Sequence, residues 1–79
     1  MFDSKQIGKV VRSHRKKSGL TQKELSQLAG VGKTAVFDIE KGKPSIRFNT
    51  LLKVLDTLNI KLELKSPIMS DLIDEEPVE

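Results

Sequence analysis

Residues 30–34, with the sequence Gly-Val-Gly-Lys-Thr, have residue types that could bind the phosphates of a nucleotide. They match the second half of a P-loop, in which backbone amides and a lysine hold phosphates and a hydroxyl holds Mg²⁺. The complete pattern requires a glycine at position 27, where this chain has Gln27. It also requires a buried strand before the loop, whereas the preceding residues have the pattern of an amphipathic helix. These five residues therefore do not indicate an NTPase.

No other group of residues has the composition of a catalytic or metal site. The chain has no cysteine and one histidine, His14, so it offers neither thiolate ligands nor a zinc cluster. His14 falls at a core-facing position of a helix, where we expect it to be packed. Neither a Ser-His-Asp arrangement nor a carboxylate pair is present. We predict that the protein is not an enzyme and has no cofactor and no small-molecule substrate.

The charge is divided unevenly along the chain. All 14 lysines and arginines lie in residues 1–65 together with 6 acids, a net charge of +8, whereas residues 66–79 carry 5 acids and no base. We therefore predict one folded domain over residues 1–65, followed by an acidic, flexible tail over 66–79. A basic body of this size favours a polyanionic partner, most often nucleic acid, over a merely solvated surface.

Four segments carry side chains at helical spacing. The first runs from Ser4, the predicted N-cap, to Ser18, and the second opens with the capping box Thr21-x-x-Glu24. The third covers residues 33–40 and the fourth residues 49–58. The positions assigned to their inner faces are Ile7, Val11, His14, Leu25, Leu28, Ala29, Val36, Ile39, Leu51, Leu52, Leu55 and Leu58.

The second and third segments together have the pattern of a helix-turn-helix. Gly30 ends the first of these two helices, because glycine readily adopts the left-handed backbone conformation that terminates a helix. Val31 then packs in the angle between the two helices. Gly32 is the predicted N-cap of the next helix. Lys33 and Thr34 then become its first exposed positions, which would meet the floor of the DNA major groove. The lysine of the P-loop-like string is thus interpreted as a contact to a base edge or a phosphate.

A strand is predicted at the C-terminal end of the domain. Residues 59–65 alternate strictly between polar and apolar, and Pro67 follows them. One strand in a helical monomer leaves its backbone groups unpaired and exposes Ile60, Leu62 and Leu64 on one face. We expect a homodimer in which this strand pairs with its own copy in an antiparallel ribbon. Pairing with residues 46–48 of the same chain is the alternative.

The whole pattern resembles a known family. Residues of the Xre, or lambda-repressor-like, helix-turn-helix family recur here in order and spacing between positions 5 and 60. They are Ile7-Gly8, Val11-Arg12, Arg15, Gly19-Leu20-Thr21-Gln22, Glu24-Leu25, Ala29-Gly30-Val31, Val36, Ile39-Glu40-Lys41-Gly42 and Thr50-Leu51-Leu52-Lys53.

The resemblance implies an all-α domain of four to five helices, with the C-terminal strand pairing across a dimer. The Asn59–Leu64 ending is similar to that of HipB-type antitoxins, which repress their own operon and bind HipA-type kinase toxins. It implies a repressor that binds double-stranded DNA at a palindromic operator. The apolar runs are too short for a membrane segment and the N-terminus lacks a secretory signal. We expect a cytoplasmic protein that is nucleoid-associated when bound to its operator.

The resemblance also assigns roles to individual side chains. Gln22 corresponds to a glutamine that braces a phosphate, and Lys41 and Lys43 would approach the DNA backbone. The outward positions of the recognition helix are Lys33, Thr34, Phe37 and Asp38. Glu40 is expected to be structural and to pair with a base on the first helix. The cations Arg12, Arg15, Lys16 and Lys17 are expected to be mostly surface charge with one or two backbone contacts.

Two of these positions depart from the family pattern. Asp38 replaces the usual arginine, asparagine or glutamine, and a carboxylate near phosphates reduces affinity unless it accepts from a cytosine amino group. Phe37 could touch a thymine methyl or could belong to a protein interface. Two other functions therefore stay open: a stand-alone regulator, and a module that restrains a kinase with little DNA binding. The acidic tail around residues 70–74 would assist the latter.

Overall fold

Four helices joined by short turns make up the computed structural model, which describes residues 3–68. They are α1 (Ser4–Lys17), α2 (Gln22–Ala29), α3 (Ala35–Lys41) and α4 (Phe48–Thr57). The all-α prediction is confirmed, and the tail beyond residue 68 lies outside the described residues. No helix within residues 3–68 has the length and apolar character needed to cross a bilayer.

Two of the helices begin with a capping box. In it the N-cap side chain accepts a hydrogen bond from the backbone amide three residues later, and the side chain of that later residue accepts one from the N-cap amide. The box predicted at the start of α2 is confirmed: Thr21 Oγ1 accepts from the Glu24 amide at 3.0 Å, and Glu24 Oε1 accepts from the Thr21 amide at 2.8 Å. The N-cap of α1 is Asp3 rather than Ser4. Ser4 instead donates its hydroxyl to the carbonyl of Gly42 at 2.7 Å and ties α1 to the end of α3.

All four described helices end at a residue with left-handed backbone. These residues are Gly19, Gly30, Gly42 and Asn59, with φ between 59° and 83°. In each case the following amide turns back to a carbonyl in the last turn, as Val31 does to Ser26 at 3.1 Å. This closure satisfies carbonyls that a helix end otherwise leaves without a partner.

A small apolar core holds the helices together. Its buried members are Val11, Leu25, Val36, Ile39, Val54, Leu55 and Leu58. Gly8 lets α1 approach α3 closely, because a Cβ at this position would collide with the backbone carbonyls of Ile39 and Glu40. The core therefore depends on backbone proximity as well as on apolar side chains.

Three inner-face assignments are wrong. His14 is exposed, with Nδ1 2.8 Å from the Val10 carbonyl, because the buried position of that turn belongs to Arg15. Leu28 is 65% exposed and Leu52 is 37% exposed. In α4 the inner position next to Leu55 is taken by Val54, which is fully buried.

The segment after α4 forms no strand in a single chain. Asn59 belongs to the end of α4, because its left-handed backbone terminates that helix. Ile60 packs against the core, whereas Leu62 and Leu64 are 44% and 78% exposed. The alternative pairing with residues 46–48 is wrong, because Arg47 is the N-cap of α4 and Phe48 its first residue. Pairing with a second copy stays a prediction.

Candidate nucleic-acid interface

The turn between α2 and α3 sets the direction of α3. Gly30 adopts φ 71° and ψ 36° at the end of α2, and Val31 packs against the core, both as predicted. The start of α3 differs from the prediction: Thr34, not Gly32, is the N-cap, and its side chain makes no capping hydrogen bond. Lys33 and Thr34 therefore lie exposed in the turn that precedes α3 rather than in its first helical turn.

One face of α3 is buried and the other is open. Val36 and Ile39 enter the core, while Phe37 is 47% exposed and Lys41 is exposed one turn further along. The Lys41 ammonium lies over the Phe37 ring, 5.2 Å from its centroid, which is within the range of a cation–π contact. The open face of α3 thus carries an aromatic ring with a cation held against it.

A buried ion pair connects α3 to the two preceding helices. Arg15 donates through Nε and Nη2 to the two carboxylate oxygens of Glu40, at 2.6 and 3.0 Å, and through Nη1 to the carbonyl of Leu20 at 2.8 Å. Gln22 Nε2 donates to Glu40 Oε1 at 3.0 Å. The expectation that Glu40 is structural and pairs with a base of α1 is confirmed.

The same contacts shift both ionisations toward the charged forms. Burial alone would raise the pKa of the Glu40 carboxyl, but the hydrogen bonds from Arg15 and Gln22 outweigh it, and the net shift is downward. The hydrogen bond to Glu40 raises the pKa of the Arg15 guanidinium, against the opposing effect of burial. Both side chains therefore stay charged at neutral pH and hold Gln22 at the start of α2 in a fixed orientation.

A polar cleft of about 280 Å³ opens where these three helices meet. The side chains that line it are Arg12, Arg15, Gln22, Phe37, Glu40 and Lys41. Glu40 is already neutralised by Arg15, so the exposed cations Arg12 and Lys41 leave the cleft with a positive balance. A phosphate group has the charge and the hydrogen-bond acceptors that such a cleft would bind.

Asp38 does not stand alone on α3. Its carboxylate lies 3.8 Å from the ammonium of Lys43, which follows the helix. The ion pair is partly exposed and contributes little to stability. Its consequence is local, because Lys43 offsets the negative charge that Asp38 would otherwise present to DNA phosphates.

The predicted site residues fall into three groups. Gln22, Phe37 and Lys41 share the polar cleft, Asp38 pairs with Lys43, and Lys33 and Thr34 lie in the exposed turn before α3. Arg15, expected to be mostly surface charge, is instead buried, with a relative exposure of 9%. Its sequence signals are its position four residues after Val11, on the buried face of α1, and the expected pairing of Glu40 with a base of this helix.

The chain has recognisable relatives. A family model described as helix-turn-helix matches residues 11–65. An uncharacterised HTH-type transcriptional regulator, y4mF, of Sinorhizobium fredii is 41% identical over 61 residues, which cover 77% of this chain and 80% of that protein. The ImmF control region 10 kDa protein of Bacillus phage phi105 is 27% identical over 75 residues, 95% of this chain and 83% of that protein.

Solved structures share the fold. The matching chain of a HipB–O4 20mer complex superposes with a TM-score of 0.74 at 21% identity, covering 85% of this chain and 94% of that one. The match in a HipA–HipB–O2–O3 complex has the same TM-score, identity and coverage. Together with the family model and the 41% identical regulator, this fold identifies the chain as a member of the Xre-like helix-turn-helix family of transcriptional regulators.

Proposed function

We propose that the protein is a transcriptional repressor that binds a palindromic operator in double-stranded DNA as a homodimer. The observation that carries this proposal is the open face of α3, where Phe37 and Lys41 project opposite the buried Val36 and Ile39. In a helix-turn-helix this face of the second helix enters the major groove, and residues at its N-terminal end contact base edges.

The remaining site residues take positions around that helix. Lys33 and Thr34, exposed at its start, reach bases or the nearest phosphate, and Lys41 and Lys43 approach the backbone at its end. Gln22 braces a phosphate. One of its two amide hydrogens is donated to Glu40, and the other remains to meet a phosphate oxygen. Asp38 accepts from a cytosine amino group, which is the favourable base contact for a carboxylate.

Replacing Lys33 with alanine should weaken operator binding by about 1–3 kcal/mol, because the lysine supplies a charge-assisted contact to a base or phosphate. A phosphate contact would also reduce the log–log salt slope by about one unit. Gel-shift titrations at several salt concentrations measure both quantities. Lys9→Ala, which removes an exposed lysine from the middle of α1, is the matched control. Equal affinities for Lys33→Ala and the control would show that Lys33 does not contact the operator.

The homodimer is proposed from the surface around residues 60–65. Two grooves flank this segment: one contains Ile7, Val10 and Leu62, and the other contains Leu52 and Leu62. Their volumes are about 390 Å³ and about 560 Å³, respectively. A second copy pairing along Ile60, Leu62 and Leu64 would cover these side chains and satisfy the free backbone groups. A two-fold axis would then set the recognition helices about 34 Å apart, one turn of DNA.

Leu62→Asp should convert the dimer to a monomer at micromolar concentration, because it places a charge in the apolar interface without a partner. Sedimentation velocity measures the oligomeric state, and circular dichroism checks that the helices remain folded. Gln27→Glu adds the same single negative charge to an exposed position on α2 and should leave the dimer intact. A folded Leu62→Asp dimer would contradict the ribbon.

A narrower role as the antitoxin of a HipBA-type operon is also proposed. It is supported by the shared fold with the HipB chains and by the predicted similarity of the Asn59–Leu64 ending. In this role the dimer represses its own promoter and binds a HipA-like kinase toxin. A kinase-like reading frame beside the gene, whose product is retained by the immobilised chain, would support the antitoxin. Failure of that product to bind would leave a stand-alone regulator.

The interaction-module alternative makes a different prediction for the same chain. It requires kinase binding with little DNA binding, and the carboxylate of Asp38 favoured it in the sequence. The ion pair with Lys43 reduces this argument, because the negative charge is offset within the same surface. Pull-down by the full chain and by a chain ending at Ser66 shows whether the acidic tail is required for the kinase.

A further inference from the structure

Phe37 is an aromatic ring placed where the proposed DNA interface otherwise offers polar and charged groups. It is 47% exposed on α3, between the buried Val36 and the partly buried Asp38. The ring is not needed by the core, because Val36 and Ile39 fill the inner face of this short helix. Its position at the polar cleft makes it part of the recognition surface.

The ring is also held in place. Lys41 lies one helical turn after Phe37, and its ammonium sits 5.2 Å from the ring centroid. Residues four apart on a helix share a face, so this contact covers one side of the ring and leaves the remainder free. An apolar surface held in this way loses little side-chain entropy when it meets a ligand.

We propose that Phe37 determines operator specificity by packing on the C5-methyl group of a pyrimidine in the major groove. This inference rests on the proposed function, because it requires α3 to enter that groove. The C5-methyl is the apolar group that a base edge displays there, and a phenyl ring is a suitable contact for it. The methyl belongs to thymine or to 5-methylcytosine. Lys41 is a positioning residue that orients the ring while its ammonium meets the adjacent phosphate.

The surroundings of the ring favour DNA over a protein partner. Arg12, Gln22 and Lys41 line the same cleft, so any molecule that covers Phe37 also meets two exposed cations and an amide. A phosphate within hydrogen-bond distance of these groups, with a base edge beside it, would supply both kinds of contact at once. An apolar protein surface would desolvate the cations without neutralising them.

The experiment uses duplexes selected by the full-length chain from a random-sequence library. Each thymine of the selected site is replaced in turn by deoxyuridine, which removes only the methyl group, and the affinity is measured by fluorescence anisotropy. The wild-type chain should lose about fourfold in affinity at one position of a half-site, the value for one buried methyl, and about 15-fold when both half-sites change. Phe37→Ala should bind both duplexes equally.

Two further measurements test whether the methyl group itself is recognised and whether Lys41 positions the ring. At the sensitive position, cytosine is compared with 5-methylcytosine, and a gain on methylation of the same size shows that the methyl itself is read. Lys41→Met keeps the length of the side chain but removes the charge. It should lower the salt slope by about one unit and reduce the preference for the methylated base.

Thermal unfolding of each variant confirms that the helices are intact. If folded Phe37→Ala discriminates thymine from deoxyuridine as the wild type does, the inference is overturned. It is equally overturned if Phe37→Ala leaves DNA binding unchanged and instead abolishes binding to a protein partner. A wild-type chain that enriches no sequence would overturn the proposed function itself, whereas enrichment without a methyl-sensitive position would overturn only the role of Phe37.

Discussion

Replacing Glu40 with alanine is expected to lower the free energy of unfolding by about 3–5 kcal/mol, because it leaves a buried guanidinium without its counter-charge. Arg15 makes two hydrogen bonds to Glu40, and the side chains are only 11% and 5% exposed. Gln22 loses its partner in the same variant. Urea unfolding monitored by circular dichroism, at fixed protein concentration, measures the loss.

Two further variants test whether the unpaired charge of Arg15 causes this loss of stability. Asp56→Ala removes an exposed acid from α4 and should change stability by less than about 0.5 kcal/mol. Arg15→Met combined with Glu40→Leu removes both charges, so it should recover much of the stability that Glu40→Ala loses. A double variant no more stable than Glu40→Ala would show that packing, not the unpaired charge, dominates the loss.

The same carboxylate predicts an acid-dependent component of stability. The pKa of Glu40 is lowered in the folded chain from its ordinary value of 4.5, so the unfolded chain takes up this proton first as the pH falls. The contribution of ionised Glu40 to the free energy of unfolding is therefore complete above the ordinary pKa. It is lost as the pH falls through the lower pKa that Glu40 has in the folded chain. Glu40→Gln should lack this component, and its free energy of unfolding should fall less between neutral and acidic pH.

Replacing Gly8 with alanine is expected to destabilise the protein by about 1–3 kcal/mol, although alanine is the better helix former. The added methyl would collide with the carbonyl oxygen of Ile39 and would lie 2.9 Å from that of Glu40. Backbone atoms of a packed helix cannot turn aside, so α1 must move away from α3. Because Arg15 and Glu40 span the same two helices, DNA affinity should fall as well.

Gly32→Ala is the control for this prediction. A Cβ at Gly32 would meet nothing within 4 Å, and its backbone does not have positive φ. It should change stability by less than about 0.5 kcal/mol, as substitutions on open surface do. Thermal melts of both variants give the comparison, and equal stabilities would mean that α1 and α3 have room to separate at no cost.

Features set by neighbouring residues could be predicted from the sequence. The capping box at Thr21 and Glu24 acts within one turn, and Gly30 has the residue type that a left-handed helix end requires. Both are present in the structure. The extent of α3 was predicted less well, because a turn around Lys33 and Thr34 and a first helical turn have the same composition.

Features set by distant partners could not be predicted in the same way. Arg15 is buried because it pairs with Glu40, which lies 25 residues further along the chain. Its spacing from Val11 alone does not distinguish it from a surface cation. His14 has the local spacing of an inner position after Ile7 and Val11, but the buried face of α1 passes through Gly8, Val11 and Arg15. The pairing of residues 60–65 depends on a second chain, so the sequence predicts it from unpaired groups alone.

We expect two copies of α3 to enter successive major grooves on one side of DNA. Selection of bound duplexes from a random-sequence library, followed by hydroxyl-radical footprinting of the enriched sequence, tests it most directly. We expect an inverted repeat with two protected half-sites whose centres lie about 10 base pairs apart. Enrichment of no sequence, or protection of one unrepeated site by a monomer, would contradict the account.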